Sequence, residues 1–250
     1  MTTLLTELPL SAPVNLRDLA GIPVSGGVMR AGFAIRTDDL STVDPDTAAD
    51  LVDGGLSAVI DLRSAAEVGL TGRGPLAALP VTYHHVPFLT SIGEATQDVL
   101  DQSTFERMYV GMVERAAPRI VQALAIMATA TGATAFHCAA GQDRTGVLAA
   151  LLLKVLGAED EVIVADYART GENSTAIMER LRPVMQPLLA AHGVDLEAAA
   201  QVAGRSQFSP APMEGLLAHL ERTFADPLEP LRAAGLTPGL VDALRERAVA

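Results

Sequence analysis

Apolar positions fall along this chain in two patterns. Short continuous apolar runs between turn signals predict buried strands, and apolar residues three to four apart predict helices. Ser57-Ala58-Val59-Ile60-Asp61-Leu62 and Ala133 to His137 read as strands, as does Val81 to Phe88, with Pro80 and Pro87 near its ends. Alternation places His84 and His85 on opposite faces of that last strand, where they cannot easily share a metal. Upstream, Gly26-Gly27 followed by alternation from Val28 to Ile35 suggests a short hairpin. Asp44-Pro45 opens a helix, with Asp44 as N-cap and Pro45 as its first residue, and Gly54-Gly55 closes it. Phe105 to Thr131 carries helix-spaced apolar residues, and Pro118 is expected to break it into two helices. Thr145 to Leu156 is a strongly apolar helix. Thr90 to Ser103 reads as a long polar loop, of the sort that is often functional.

Strands alternating with helices predict an α/β fold with a central, mainly parallel sheet flanked by helices. After Gly157 only helical patterns follow, so the C-terminal part is expected to be helical. Residues 1–250 are read as a single domain, with about 159–209 as a helical insertion or lid and Arg205 to Pro212 as the best linker. No internal repeat is evident.

Composition narrows the function. Of 250 residues, 49% are apolar, which excludes a disordered chain. The 18 basic residues against 30 acidic ones give a formal charge of −12. That field repels phosphate backbones, so no nucleic acid is expected, and an anionic substrate needs a local positive site. Cys138 is the only cysteine, so no intrachain disulfide can form. The N-terminus lacks a signal-peptide pattern, and Lys154 interrupts the longest apolar run, Val147 to Leu156. That run is too short to span a membrane. A cytoplasmic protein is expected, with export by a signal-free route left open.

The chemistry concentrates in Phe136-His137-Cys138-Ala139-Ala140-Gly141-Gln142-Asp143-Arg144-Thr145-Gly146. An apolar strand precedes this loop and an apolar helix follows it. Small residues at Ala139, Ala140 and Gly141 let successive backbone N–H groups, with those of Gln142, Asp143 and Arg144, wrap a phosphate at the helix N-terminus. The same surroundings favour a thiolate at Cys138. Arg144 can grip two phosphoryl oxygens and follow them into the transition state. Thr145 can donate to the sulfur, and His137 is expected to orient the loop beside it. Asp143 is acidic in a loop built for an anion, which suits a general acid for the leaving oxygen. Asp61 and Asp18 are rival acids. Asp61 is alternatively a structural partner of Arg63 or Arg17, and Arg36 and Arg63 read better as structural ion-pair partners.

HCAAGQDRTG resembles the signature loop of the cysteine-dependent protein tyrosine phosphatase superfamily, and the Asp directly before Arg144 is similar to its bacterial tyrosine and lipid phosphatase branch. Asn15-Leu16-Arg17-Asp18-Leu19-Ala20-Gly21, Gly32-Phe33-Ala34-Ile35-Arg36-Thr37 with Leu40, and Ile60-Asp61-Leu62-Arg63 with Glu67 resemble further motifs of that branch. The run from Met213 through Gly235-Leu236 also looks family-like. The resemblance implies two-step phosphomonoester hydrolysis through a cysteinyl phosphate, with no metal and no cofactor. The implied partners are a phosphotyrosine protein or peptide as substrate and inorganic phosphate as product. Phosphoserine and phosphoinositide form a wider possible range. The branch often carries Lys where this chain has Gln142, which weakens the expectation for phosphoinositides. Two other readings remain: a non-catalytic phosphate-binding module, and sulfur or arsenate chemistry at the same thiolate.

Overall fold

The structure, a computed structural model, describes residues 8–88, 102–191 and 208–250. Its strands begin with β1 (Arg17–Asp18), the hairpin strands β2 (Pro23–Val24) and β3 (Gly27–Val28), and β4 (Ala34–Thr37). Helix α1 (Pro45–Asp53) starts as the sequence predicts: the Asp44 side chain accepts from the Thr47 N–H. Strand β5 (Leu56–Asp61) and helix α2 (Ala65–Thr71) follow. Ser64 caps α2 through a capping box, in which Ser64 and Glu67 each accept the other's backbone N–H. Strand β6 (Thr82–His85) is shorter than the predicted run from Val81 to Phe88.

Helix α3 (Gln102–Thr129) corrects one expectation, because it is continuous with Pro118 inside it. Proline removes the hydrogen bond to the carbonyl four residues back, here that of Glu114. Both residues lie on the exposed side of the helix, where water can take up that carbonyl. The opposite stripe of Tyr109, Met112, Ala116, Ile120, Ala123 and Met127 is buried without interruption, and this packing outweighs the local cost. Of the predicted loop 90–103, residues 90–101 lie outside the described residues, and Gln102 and Ser103 belong to α3.

Strand β7 (Ala133–His137) is buried at every position and leads to helix α4 (Asp143–Leu156), which begins two residues before the predicted start. Gly157 ends α4 in the left-handed region, at φ +81°, with its N–H on the carbonyls of Leu153 and Lys154. The chain continues through α5 (Asp160–Ala168), a 3-10 turn at Arg169–Asn173, α6 (Ser174–Ala191), α7 (Ala211–Thr223), α8 (Glu229–Ala233) and α9 (Pro238–Ala248). Residues 205–207 of the proposed linker lie outside the described residues, while its last two residues open α7.

Among the described residues the main sheet has five strands in the order β1-β4-β7-β5-β6. The β4–β7, β7–β5 and β5–β6 pairs are parallel, and β1 runs antiparallel at the edge. This is the α/β fold with a mainly parallel sheet. Successive strand residues face opposite layers: Ile60 and Phe136 enter a large core with α3, α4 and the C-terminal helices. Val59 and Ala135 enter a smaller one with Leu40, Val43, Ala48 and Leu76. Cys138 follows β7 directly, so the loop sits at the carboxyl end of a central strand, where α/β folds gather their sites. No helix among the described residues is long and apolar enough to cross a membrane.

Candidate active site

The loop is held from outside by its carbonyls. Ala139 O accepts from the Asp39 N–H at 3.1 Å. Asn15 Nδ2 donates to Ala140 O and Gly141 O, each at 3.2 Å, and Arg36 Nη2 donates to Gly141 O at 2.8 Å. In a trans peptide the next N–H points opposite the carbonyl. The N–H groups of Ala140, Gly141 and Gln142 therefore face away from these anchors, and together they form a row of donors that can hold an anion. Gly141 makes the close approach possible: a Cβ there would lie 2.5 Å from the Thr37 carbonyl oxygen, and its φ is +67°.

Cys138 is 2% exposed at the base of this loop. Arg144 meets Glu67 through both oxygens, with Nη1 to Oε2 at 2.7 Å and Nη2 to Oε1 at 2.8 Å. Burial raises the Glu67 pKa, but the Arg144 charge and the Ser64 N–H outweigh it and bring it down to about 2. Burial acts against the charged Arg144, yet the negative charge available at Cys138 and that of Glu67 hold its pKa well above the usual arginine value. Glu67 occupies the outer edge of the guanidinium, which leaves the Nε edge for a second two-pronged contact.

Asp143 Oδ1 accepts from the Tyr109 hydroxyl at 2.7 Å, and the Tyr109 and Tyr167 hydroxyls are 2.7 Å apart. The Thr145 hydroxyl is buried and has no hydrogen-bond partner among the described residues. His137 lies under the loop, with Nδ1 3.4 Å from the Leu40 N–H and 3.2 Å from the Cys138 carbonyl. Its two ring nitrogens are each 3.7 Å from a carboxylate, Asp39 on one side and Asp61 on the other.

The rival acids are engaged elsewhere. Asp61 accepts from Arg63 Nη2 at 2.6 Å and from the Tyr83 hydroxyl at 2.8 Å, as its structural reading with Arg63 requires. Burial opposes its charge, but His137 and Arg63 hold its pKa well below the usual carboxylate range. Asp18 accepts from the N–H groups of Ala20 and Gly32. Arg36 also takes the structural role, joining Arg17 on the buried Asp166 at 2.5 and 2.9 Å. A small cavity lined by Leu40, Asp61, Arg63, Arg73, Tyr83 and His137 belongs to the smaller core, and Asp61 and Arg63 neutralise each other there.

Sequence reasoning assigned no role to Tyr109, Tyr167 or Asp166, and it noticed Glu67 only as part of a motif. The tyrosines sit on helix faces where an aromatic reads as core.

A strand, a loop running from cysteine to arginine six positions on, and a helix behind it form the arrangement of a cysteine-dependent phosphatase. The chain belongs to the tyrosine phosphatase family, whose model matches residues 8–250. It is 28% identical over 202 residues to the triple specificity protein phosphatase PtpB of Mycobacterium tuberculosis, covering 69% of this chain and 72% of the relative. It is 33% identical over 214 residues to a candidate tyrosine-protein phosphatase of Cupriavidus necator, covering 77% of each. A tyrosine-protein phosphatase of Nostoc commune is 29% identical over 165 residues, 65% of this chain and 49% of that protein.

Proposed function

We propose that the chain hydrolyses phosphotyrosine in proteins or peptides through a covalent phosphate on Cys138. The observation that carries this reading is the row of tied carbonyls, which turns the N–H groups of Ala140, Gly141 and Gln142 away from their anchors, as a phosphate cradle next to the thiol requires. Ala139, Ala140, Gly141, Gln142, Asp143 and Arg144 form the phosphate cradle. The Cys138 thiolate attacks phosphorus, the bond to the leaving oxygen breaks, and Asp143 gives that oxygen its proton. Arg144 holds two equatorial oxygens with its Nε edge. Water then attacks the thiophosphate, Asp143 takes the water's proton, and the sulfur leaves as thiolate with phosphate released. Thr145 would donate its hydroxyl to that sulfur when the thiolate leaves, a bond that the hydroxyl does not make with Cys138 among the described residues, and His137 holds the base of the loop. No step calls on a metal or cofactor.

Gln142 offers an amide where a second charge would favour polyphosphorylated inositides, so phosphotyrosine is the first substrate. The name of the Mycobacterium relative makes a wider range worth assaying. We read residues 1–250 as one phosphatase domain, with about 159–209 as an insertion or lid, and the reduced thiol this chemistry needs suits the cytoplasm. The test is Cys138→Ser: turnover of phosphotyrosine should vanish while vanadate or phosphate still binds, because the N–H cradle remains. Turnover near the wild-type rate in that variant refutes the covalent route. Phosphate binding without turnover in the wild type would instead mark a binding module.

A further inference from the structure

The two oxygens of Asp143 are not equivalent. Oδ1 accepts from the Tyr109 hydroxyl at 2.7 Å, and among the described residues no hydrogen bond reaches Oδ2. A carboxyl turns readily about its last torsion, which is broad and two-fold. Such a turn exchanges the oxygens and carries an acidic proton away from the leaving group. We propose that Tyr109 is a positioning residue that stops this exchange, so that Oδ1 remains an acceptor and Oδ2 alone carries the catalytic proton. The proposal rests on the reading of Asp143 as the general acid.

The surroundings of Tyr109 support this role. It is 0% exposed, on α3, and the Tyr167 ring from α5 meets it edge-on with centroids 6.1 Å apart. Tyr109 has one hydroxyl proton and gives it to Asp143, so the contact between the two hydroxyls must be filled by the proton of Tyr167. Tyr167 thereby fixes the direction in which Tyr109 points. Phe208 packs on Tyr167 with ring centroids 5.1 Å apart. Gly146 leaves room for the Tyr167 ring, since a Cβ at that position would stand 3.0 Å from it. Burial first, then the Asp143 charge and Tyr167, hold the Tyr109 phenol well above its ordinary pKa, so it stays a donor throughout the working pH range.

The experiment measures kcat and KM for phosphotyrosine and for an aryl phosphate with an electron-poor phenol, in Tyr109→Phe, Tyr167→Phe, Asp143→Asn and the double variant Tyr109→Phe/Asp143→Asn. Phenylalanine keeps the ring packing. Tyr109→Phe should lower kcat on phosphotyrosine by about tenfold and on the activated ester by less than about threefold, because only the poor leaving group needs the proton. KM should stay nearly constant. Tyr167→Phe should show the same selectivity with a smaller loss. In the Asp143→Asn background, removing the Tyr109 hydroxyl should cost nothing further. Equal losses on both esters in Tyr109→Phe, or additive losses in the double variant, overturn the proposal while a selective Asp143→Asn keeps the acid reading intact. An unselective Asp143→Asn overturns both.

Discussion

Glu67 and Arg144 meet through two parallel hydrogen bonds, and Arg144 keeps the Glu67 carboxylate charged well into the acid range. Glu67→Gln keeps the shape and an oxygen for the Ser64 N–H but gives up the charge beside Arg144. The expected result is a fall of about tenfold or more in kcat/KM, equivalent to ~1.4 kcal/mol of transition-state stabilisation, measured on phosphotyrosine. The same variant checks the pH dependence of stability. The Glu67 pKa is lowered from 4.5 to about 2 on folding, so its contribution is complete above the unfolded value and fades as pH falls from about 4.5 toward 2. Acid unfolding followed by circular dichroism should therefore show a steeper loss across that window in the wild type than in Glu67→Gln. The partnership was not legible in the sequence, because the two residues stand 77 positions apart. Cys138, Asp143, Arg144 and Thr145 stand out in the sequence as a candidate group, since their spacing is local and their chemistry has few other uses. Tyr109 does not, because a phenol on an apolar helix stripe looks the same whether its hydroxyl is idle or engaged.

At the scale of elements, the signals that read correctly were those whose partner lies within one turn. Asp44 and Thr47 are three residues apart, and Gly157 closes α4 on carbonyls three and four residues back. Pro118 misled for the complementary reason. Its local preference points to a break, whereas the stripe from Tyr109 to Met127 gains by running straight through, and only the packed molecule reveals that gain. The residual cost of the proline is open to measurement. Pro118→Ala restores a donor for the Glu114 carbonyl on an exposed face, at the expense of some entropy gained by the unfolded chain. A net gain of about 1–2 kcal/mol is expected, read as a shift in the urea midpoint with the slope and kcat unchanged. A loss of stability would mean that the helix bends at Pro118 to fit its neighbours.

Across the whole molecule, a mainly parallel sheet flanked by helices follows from the alternation of strands and helices, and that much was readable in the sequence, whereas the strand order was not. What joins the parts is long-range and polar: Arg17 and Arg36 converge on Asp166, and Arg180 of α6 reaches Asp38 at 2.6 Å, from positions 130 to 149 residues apart. The cradle itself depends on this kind of contact, since Asn15 reaches Ala140 and Gly141 across 125 and 126 residues. Closing so much chain is slow compared with forming helices, whose bonds are local. The N-terminal segment must therefore arrive before the loop can take its shape. When denatured chains are diluted into buffer, the helical signal should return first and phosphotyrosine hydrolysis should lag behind it, so that enzymatic activity times the last closure of the fold.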